Sequence, residues 1–270
     1  MHPILFHLGS FPIHSYGALG ALAFVVGAAM CLWRARQLGL DVNKFADLIF
    51  WMAMSSLVGA RLTFVAQNPG TVTSLMDLLD LRGGGLVFYG SFAVGIPVGF
   101  TLMSKYDLPR FASWDIFGTA FPLSHAVSRL GCYASGCCYG SPTESTFAVT
   151  YPPDSPIAPP GIGVHPVQLY EAAALVGIAV VTNALFSRRA YDGQVFLVYM
   201  VLYAITRTVT ELWRGDPDRG LFLPELFGDA VSFSQGVSGL FAVVGIGVFL
   251  WAARRAAANR ALGAQIHGPT

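Results

Sequence analysis

YGALGALAFVVGAAMCLW (16–33) runs for 18 residues without a charge and stops against Arg34 and Arg36. An α-helix needs about 20 mostly apolar residues to cross the hydrocarbon of a bilayer. No Lys or Arg precedes the stretch, and no small-residue cleavage site follows before Arg34, so it reads as a retained span and not a leader. Six further stretches have the same character: 46–66, 85–103, 112–128, 167–186, 194–213 and 231–252. The fourth is the weakest, since it carries Asp115 and His125; if it were re-entrant, six spans would remain.

The composition agrees. Hydrophobic residues make up 54% of the 270 and charged residues 11%, against roughly 25% charged in an ordinary globular chain. Mean hydropathy is +0.57. So few charges cannot cover so much apolar side chain in water, and much of it must face lipid. A net charge of +1 points to no nucleic acid or acidic partner. Four cysteines in a chain of this length are not a disulfide scaffold. The expectation is an all-α integral membrane protein with seven transmembrane helices in one domain (1–255) and a short tail (256–270).

Basic residues orient the spans. Arg34, Arg36, Lys44, Lys105, Arg110, Arg188, Arg189, Arg254, Arg255 and Arg260 fall on one side. Arg82, Arg129, Arg214 and Arg219 fall on the other. Ten against four, alternating over seven spans, predicts an outer N-terminus and a cytoplasmic C-terminus. The outer segment 129–166 is long and rich in Cys, Pro and Gly.

Arg61, Asp115, Glu171, Arg207 and Glu211 lie within or beside apolar spans, where a charge costs a few kcal/mol and needs a partner or a wet cavity. Tyr203, Arg207, Glu211 and Arg214 share one helical stripe in the outer half of the sixth span. Arg61 falls in the outer half of the second span, and Arg129 ends the fourth on the outside. Arginine holds phosphate with a rigid, permanently charged fork, so a lipid-phosphate pocket is one reading and interhelical ion pairs such as Arg207 with Glu211 are the other. RGGGLVFYG (82–90), containing Gly84, Gly85 and Gly90, enters the third span and allows backbone close to a headgroup. Tyr16 is placed as an interfacial aromatic. Pro166 is expected at the first helical position of the fifth span. Gln168 and Glu171 share a face there, and His165 precedes them.

Cys132, Cys137 and Cys138 form a C-x4-C-C cluster on the predicted outer side. Four readings stand together: a disulfide from Cys132 to either neighbour, a reactive thiol with arginines lowering its pKa, a metal site completed by His125 or His165, and simple packing. The spacing matches no recognised finger pattern. Cys31, at the inner end of the first span, reads as a bystander.

With SRLGCYASGCCYG (128–140) and HPVQLYEA (165–172) in view, the chain resembles the prolipoprotein diacylglyceryl transferases. HSYG (14–17), VGARL (58–62), the glycine-rich entry to the third span and the stripe of the sixth span extend the likeness through most of the chain. The resemblance implies a seven-span bacterial inner-membrane enzyme with its site toward the periplasmic leaflet. Such an enzyme moves the diacylglyceryl group of phosphatidylglycerol to the thiol of a lipobox cysteine in an exported preprotein. It implies Tyr16 at the lipid site, Arg129 and Arg207 on the leaving phosphate, Gly140 as the closing glycine of the signature, and Tyr203 and Glu211 supporting the pocket.

The chain departs from the family pattern at three polar positions. Tyr89-Gly90-Ser91 stands where the family reads HGG, Cys132 where it carries asparagine, and Cys137 where it carries glutamate. Transfer needs a thiolate and stabilisation of the departing phosphate. The arginines suit the second task. For the first, Tyr89 is a poor base unless neighbouring cations lower its pKa from about 10, with Glu211 and His165 in reserve. The expected catalytic set is Arg129, Arg207, Tyr89, Glu211, Cys132 and Cys137. The expected substrate-binding set is Tyr16, Arg61, Gly84, Gly85, Gly90, Gly140, His165, Gln168, Tyr203 and Arg214. No cofactor is called for. A membrane thiol-redox or metal-handling protein using Cys132, Cys137 and Cys138 is the alternative on the same fold, and a non-catalytic lipid binder is a third reading.

Overall fold

The computed structural model describes residues 4–9, 11–70, 74, 85–153, 155, 157–215 and scattered positions from 235 to 254. Most of the predicted seventh span, and with it Gly84, Arg82, Arg219, Arg255 and Arg260, lies outside the described residues. Strands β1 (Ile4–Leu8) and β2 (Phe11–His14) pair antiparallel and lead into α1 (Ser15–Gln37) and α2 (Val42–Gln67). Then come α3 (Phe88–Lys105) and α4 (Arg110–Ser135), the short antiparallel pair β3 (Val149–Thr150) and β4 (Gly163–Val164), α5 (Val167–Phe186) and α6 (Gln194–Glu211). The described residues are thus mostly helical, with four short strands beside the expected helices. Helices α1, α2 and α5 are each long and apolar enough to cross a membrane.

Three boundaries differ from the sequence-based expectation. Helix α3 starts at Phe88 and not at residue 85, because Gly85 takes φ +75, outside the helical region. Helix α4 is one continuous helix well past residue 128, carrying His125, Arg129 and Cys132 together. Pro166 is the N-cap of α5 and not its first helical residue.

The chain divides into two compact units, residues Leu32–Ser113 and the remainder. In the first, α2 and α3 pack through small residues, as membrane helices do where backbones approach closely. A side chain at Gly59 would strike the Gly90 carbonyl, and one at Gly90 would strike Thr63. A side chain at Gly95 would strike Ser56, and one at Gly99 the Met52 side chain.

In the other unit the fully buried Asp115 explains itself. Its Oδ2 accepts from Gly193 N at 2.8 Å and its Oδ1 from Phe196 N at 3.1 Å, capping α6 from another helix. Arg189 Nε lies 3.3 Å from Oδ2 and supplies the countercharge. The orphan donors of a buried helix start would otherwise go unpaired. Asp115→Asn keeps one acceptor oxygen but loses the charge, and is expected to cost about 1.5 kcal/mol, read as a lower midpoint in thermal unfolding. Around this cap, Trp114, Phe117, Phe121, Phe196, Tyr199 and Tyr203 form a chain of ring contacts between α4 and α6.

The described residues between α4 and α5 carry a small core of their own. Tyr151, Ala158 and Val164 form a small core with Tyr139 packed on it. Gln168 Nε2 donates to the Tyr151 hydroxyl at 3.0 Å and to the Cys137 carbonyl at 2.7 Å, tying this cap to α5. Burial pushes the Tyr151 hydroxyl up to about 12.

Candidate functional site

Helical spacing brings the charged residues of this unit together. His125, Arg129 and Cys132 follow at i, i+4 and i+7 on α4, Gln168 and Glu171 share a face of α5, and Tyr203, Arg207 and Glu211 line α6. Glu171, 2% exposed, is the hub. Its Oε1 accepts from Arg129 Nη2 at 2.9 Å and from the Tyr203 hydroxyl at 3.4 Å, and lies 3.8 Å from His125 Nε2. Arg207 Nη2 meets Glu211 Oε2 at 2.7 Å. His125 and Tyr203 are each within electrostatic reach of both guanidinium groups.

The ion-pair reading of the arginines accounts for both Arg129 and Arg207. The ion pairs exist, and a buried charge stripped of its partner is costly. Yet Arg129 Nε is buried without a hydrogen-bond partner among the described residues. Its planar fork thus retains donor capacity beyond the Glu171 pair.

Arg214 is not on the helical stripe. Helix α6 ends at Glu211, and Arg214 lies beyond it in a backbone bridge with Gly140. That bridge belongs to a junction of three segments. Gly140 N donates to His165 O at 2.9 Å, His165 N to Ser141 O at 3.1 Å, Ser141 N to Trp213 O at 2.7 Å and Gly215 N to Tyr139 O at 3.3 Å. A side chain at Gly140 would meet His165 O at 2.5 Å and Trp213 O at 2.7 Å, which is why glycine stands there. His165 Nδ1 is 3.3 Å from the Tyr170 hydroxyl, and an open groove of about 470 Å³ is lined by Ser145, Phe147, His165, Tyr170 and Trp213.

All four cysteines are free thiols. The sulfurs of Cys132, Cys137 and Cys138 lie within 4.8 Å of one another. Cys137 Sγ is 3.5 Å from Ser135 Oγ and 3.7 Å from the Cys132 carbonyl. Cys138 has φ +59, a left-handed conformation rare outside glycine that turns the chain after Cys137. The neighbouring Cys132 and Cys137 thiols, with the charges of Arg129 and Arg214, hold the Cys138 thiol below the ordinary thiol range. Tyr16, at the start of α1, is within electrostatic reach of Arg129 and all three thiols.

The remaining expected site residues belong to the Leu32–Ser113 unit. Arg61 Nη1 donates to the Gly85 carbonyl at 3.0 Å and its guanidinium sits 5.4 Å from the Phe64 ring centroid. The left-handed Gly85 admits this approach, since a side chain there would meet Arg61 Nη1 at 2.5 Å. Tyr89 and Gly90 occupy the first turn of α3, Tyr89 exposed and Gly90 buried against α2.

The expected catalytic and substrate-binding sets omit Glu171, read only as an inward-facing charge, and His125, read only as a candidate metal ligand. The signal was available: His125, Arg129 and Cys132 share a helical face, and Glu171 lies on the Gln168 face.

Comparison with known proteins gives a consistent answer. The family model for prolipoprotein diacylglyceryl transferase matches residues 3–251. A phosphatidylglycerol–prolipoprotein diacylglyceryl transferase of Clostridium tetani is 27% identical over 250 residues, covering 92% of this chain and 97% of its own. That of Thermotoga maritima is 30% identical over 218 residues, 78% and 74% of the two chains. One from Synechocystis is 25% identical over 261 residues, 92% and 88%.

Proposed function

Because the chain belongs to the prolipoprotein diacylglyceryl transferase family, we propose that it moves the diacylglyceryl group of phosphatidylglycerol to a cysteine thiol of a prolipoprotein. The names of its relatives supply both substrates. They favour this reading over the thiol-redox alternative. The acceptor thiolate attacks the glycerol carbon that carries the phosphate. A C–S bond forms, the C–O bond to phosphate breaks, and glycerol phosphate leaves with the electron pair.

The observation that carries the reading is the Arg129–Glu171–Tyr203 cluster around the buried Glu171, beside Arg207–Glu211, with Arg129 Nε unpartnered among the described residues. Arg129 and Arg207 hold the phosphate and stabilise the charge that grows on it, an effect strengthened where water is excluded. Glu171 and Glu211 fix the two forks in place. Tyr16 borders the lipid, and Gly140 fastens the loop carrying the thiols to the entry of α5 and the exit of α6. Arg61 secures the Gly85 turn at the entry to α3, and Tyr89 follows in that helix. The chain forms a single seven-span domain in the bacterial inner membrane, with its N-terminus and site outside and its C-terminus in the cytoplasm. The acceptor carries a lipobox.

The reading is tested by incubating the purified protein with phosphatidylglycerol and a lipobox peptide and reading peptide mass. A diacylglyceryl adduct is expected. Its absence, with an established relative active in parallel, overturns the reading.

A further inference from the structure

We propose that Cys132, Cys137 and Cys138 bind a zinc ion through three thiolates, leaving a fourth position that takes the acceptor thiol. Three sulfurs within 4.8 Å of one another can converge on one ion at Zn–S distances of about 2.3 Å. Their arrangement is built locally. Cys132 sits in the last turns of α4, Gly136 at φ +77 reverses the chain, and Cys138 at φ +59 brings its thiol back to the others. Cys132 is buried while Cys137 and Cys138 are partly exposed, so the set is closed on one side and open on the other. No fourth His, Cys, Asp or Glu joins the group among the described residues. Zinc with three protein ligands keeps its remaining tetrahedral position for water or substrate.

The chemistry gives that open position a use. The two carboxylates beside the arginines are committed as counterions, Glu171 to Arg129 at 2.9 Å and Glu211 to Arg207 at 2.7 Å. A thiol coordinated to zinc gives up its proton outright. The acceptor enters as a thiol, releases its proton to water, attacks the glycerol carbon as zinc-bound thiolate, and leaves as a weakly ligating thioether. Zinc is neither oxidised nor reduced. Direct attack by one of the three cysteines is a dead end by comparison, because passing the lipid on from an enzyme thioether would have to expel a thiolate, a poor leaving group at a saturated carbon.

This inference rests on the transferase reading for its acceptor, so the experiment separates the two. The reduced protein, stripped with a chelator, is loaded with zinc or with cobalt(II) as a spectroscopic substitute. One ion per chain is expected, lost in Cys132→Ser and in Cys137→Ser. Adding a lipobox peptide raises the thiolate-to-cobalt charge-transfer band by about one-third, as a fourth sulfur joins three. The chelated wild-type chain, with no substitution to unfold it, is expected to transfer lipid at least tenfold more slowly near neutral pH and to recover on adding zinc. Absence of stoichiometric metal, retention of metal in the triple serine variant, or isolation of two of the thiols as a disulfide overturns the site. An unchanged cobalt spectrum with peptide, or transfer that is unaffected by chelation, overturns the open position. Metal and peptide binding without transfer from phosphatidylglycerol, zinc or none, supports the site and overturns the donor reading instead.

Discussion

Arg129→Ala is expected to lower diacylglyceryl transfer by about 10³-fold, the scale seen when a preorganised donor to developing charge is removed. Two losses are superposed in that variant. The phosphate loses a fork, and Glu171, 2% exposed, loses the cation 2.9 Å away. Stranding a buried carboxylate costs about 3–5 kcal/mol of stability on its own. The double variant Arg129→Ala with Glu171→Gln removes the stranded charge as well as the fork. Its unfolding midpoint is expected to return most of the way to wild type, while transfer stays about 10³-fold down. Initial rates of peptide modification and a thermal scan check both halves. If the double variant regains transfer along with stability, Arg129 acts only as a strut for Glu171 and the phosphate is bound elsewhere.

That experiment also separates the two readings of the arginines that the sequence leaves standing. Arginines and acids in apolar spans had to be partnered, and periodicity places Tyr203, Arg207 and Glu211 on one face. Periodicity cannot tell which acid meets which base across helices. The Arg207–Glu211 pair lies within one helix and is readable at i, i+4, whereas Arg129–Glu171 joins α4 to α5 and is not. Asp115 teaches the same lesson. Its presence weakened the fourth predicted span, yet it is paid for by the first turn of α6, a tertiary cap invisible in local sequence. Arg214 was assigned to the stripe because three residues after Glu211 is a helical interval. The helix stops first, and backbone pairing with Gly140 decides where Arg214 goes. The outer segment 129–166 reads as a loop rich in Cys, Pro and Gly, because two-residue strands and a core of three residues carry no periodic signal.

The cysteine cluster was legible as spacing but not as geometry. C-x4-C-C reads first as a disulfide, then as a reactive thiol, then as a ligand set. The left-handed turns at Gly136 and Cys138 are what bring the three sulfurs together. A left-handed cysteine is disfavoured by the clash of its Cβ with the backbone, so the surrounding junction must hold it. This places the burden on the residue two positions on.

Gly140→Val is expected to destabilise the protein by about 3 kcal/mol, near the upper range for overpacking a site that cannot relax. The atoms in the way are mostly backbone: His165 O at 2.5 Å and Trp213 O at 2.7 Å from the position of a Cβ, with the His165 Cβ at 2.6 Å. A flexible side chain could swing aside, but these carbonyls are held by the hydrogen bonds of Gly140 N and Ser141 N. Making room therefore breaks the junction that fastens the thiol loop to the start of α5 and the end of α6. Gly140→Ala meets the same atoms with fewer methyl groups, and transfer is expected to fall at least tenfold even where the chain still folds. Gly20→Ala is the matched control, since nothing lies within 4 Å of its Cβ position and alanine favours the helix it sits in. Thermal midpoints and transfer rates of the three variants are measured side by side. Wild-type stability and transfer in Gly140→Val would mean that the junction yields at little cost, and that the glycine is not what positions the loop.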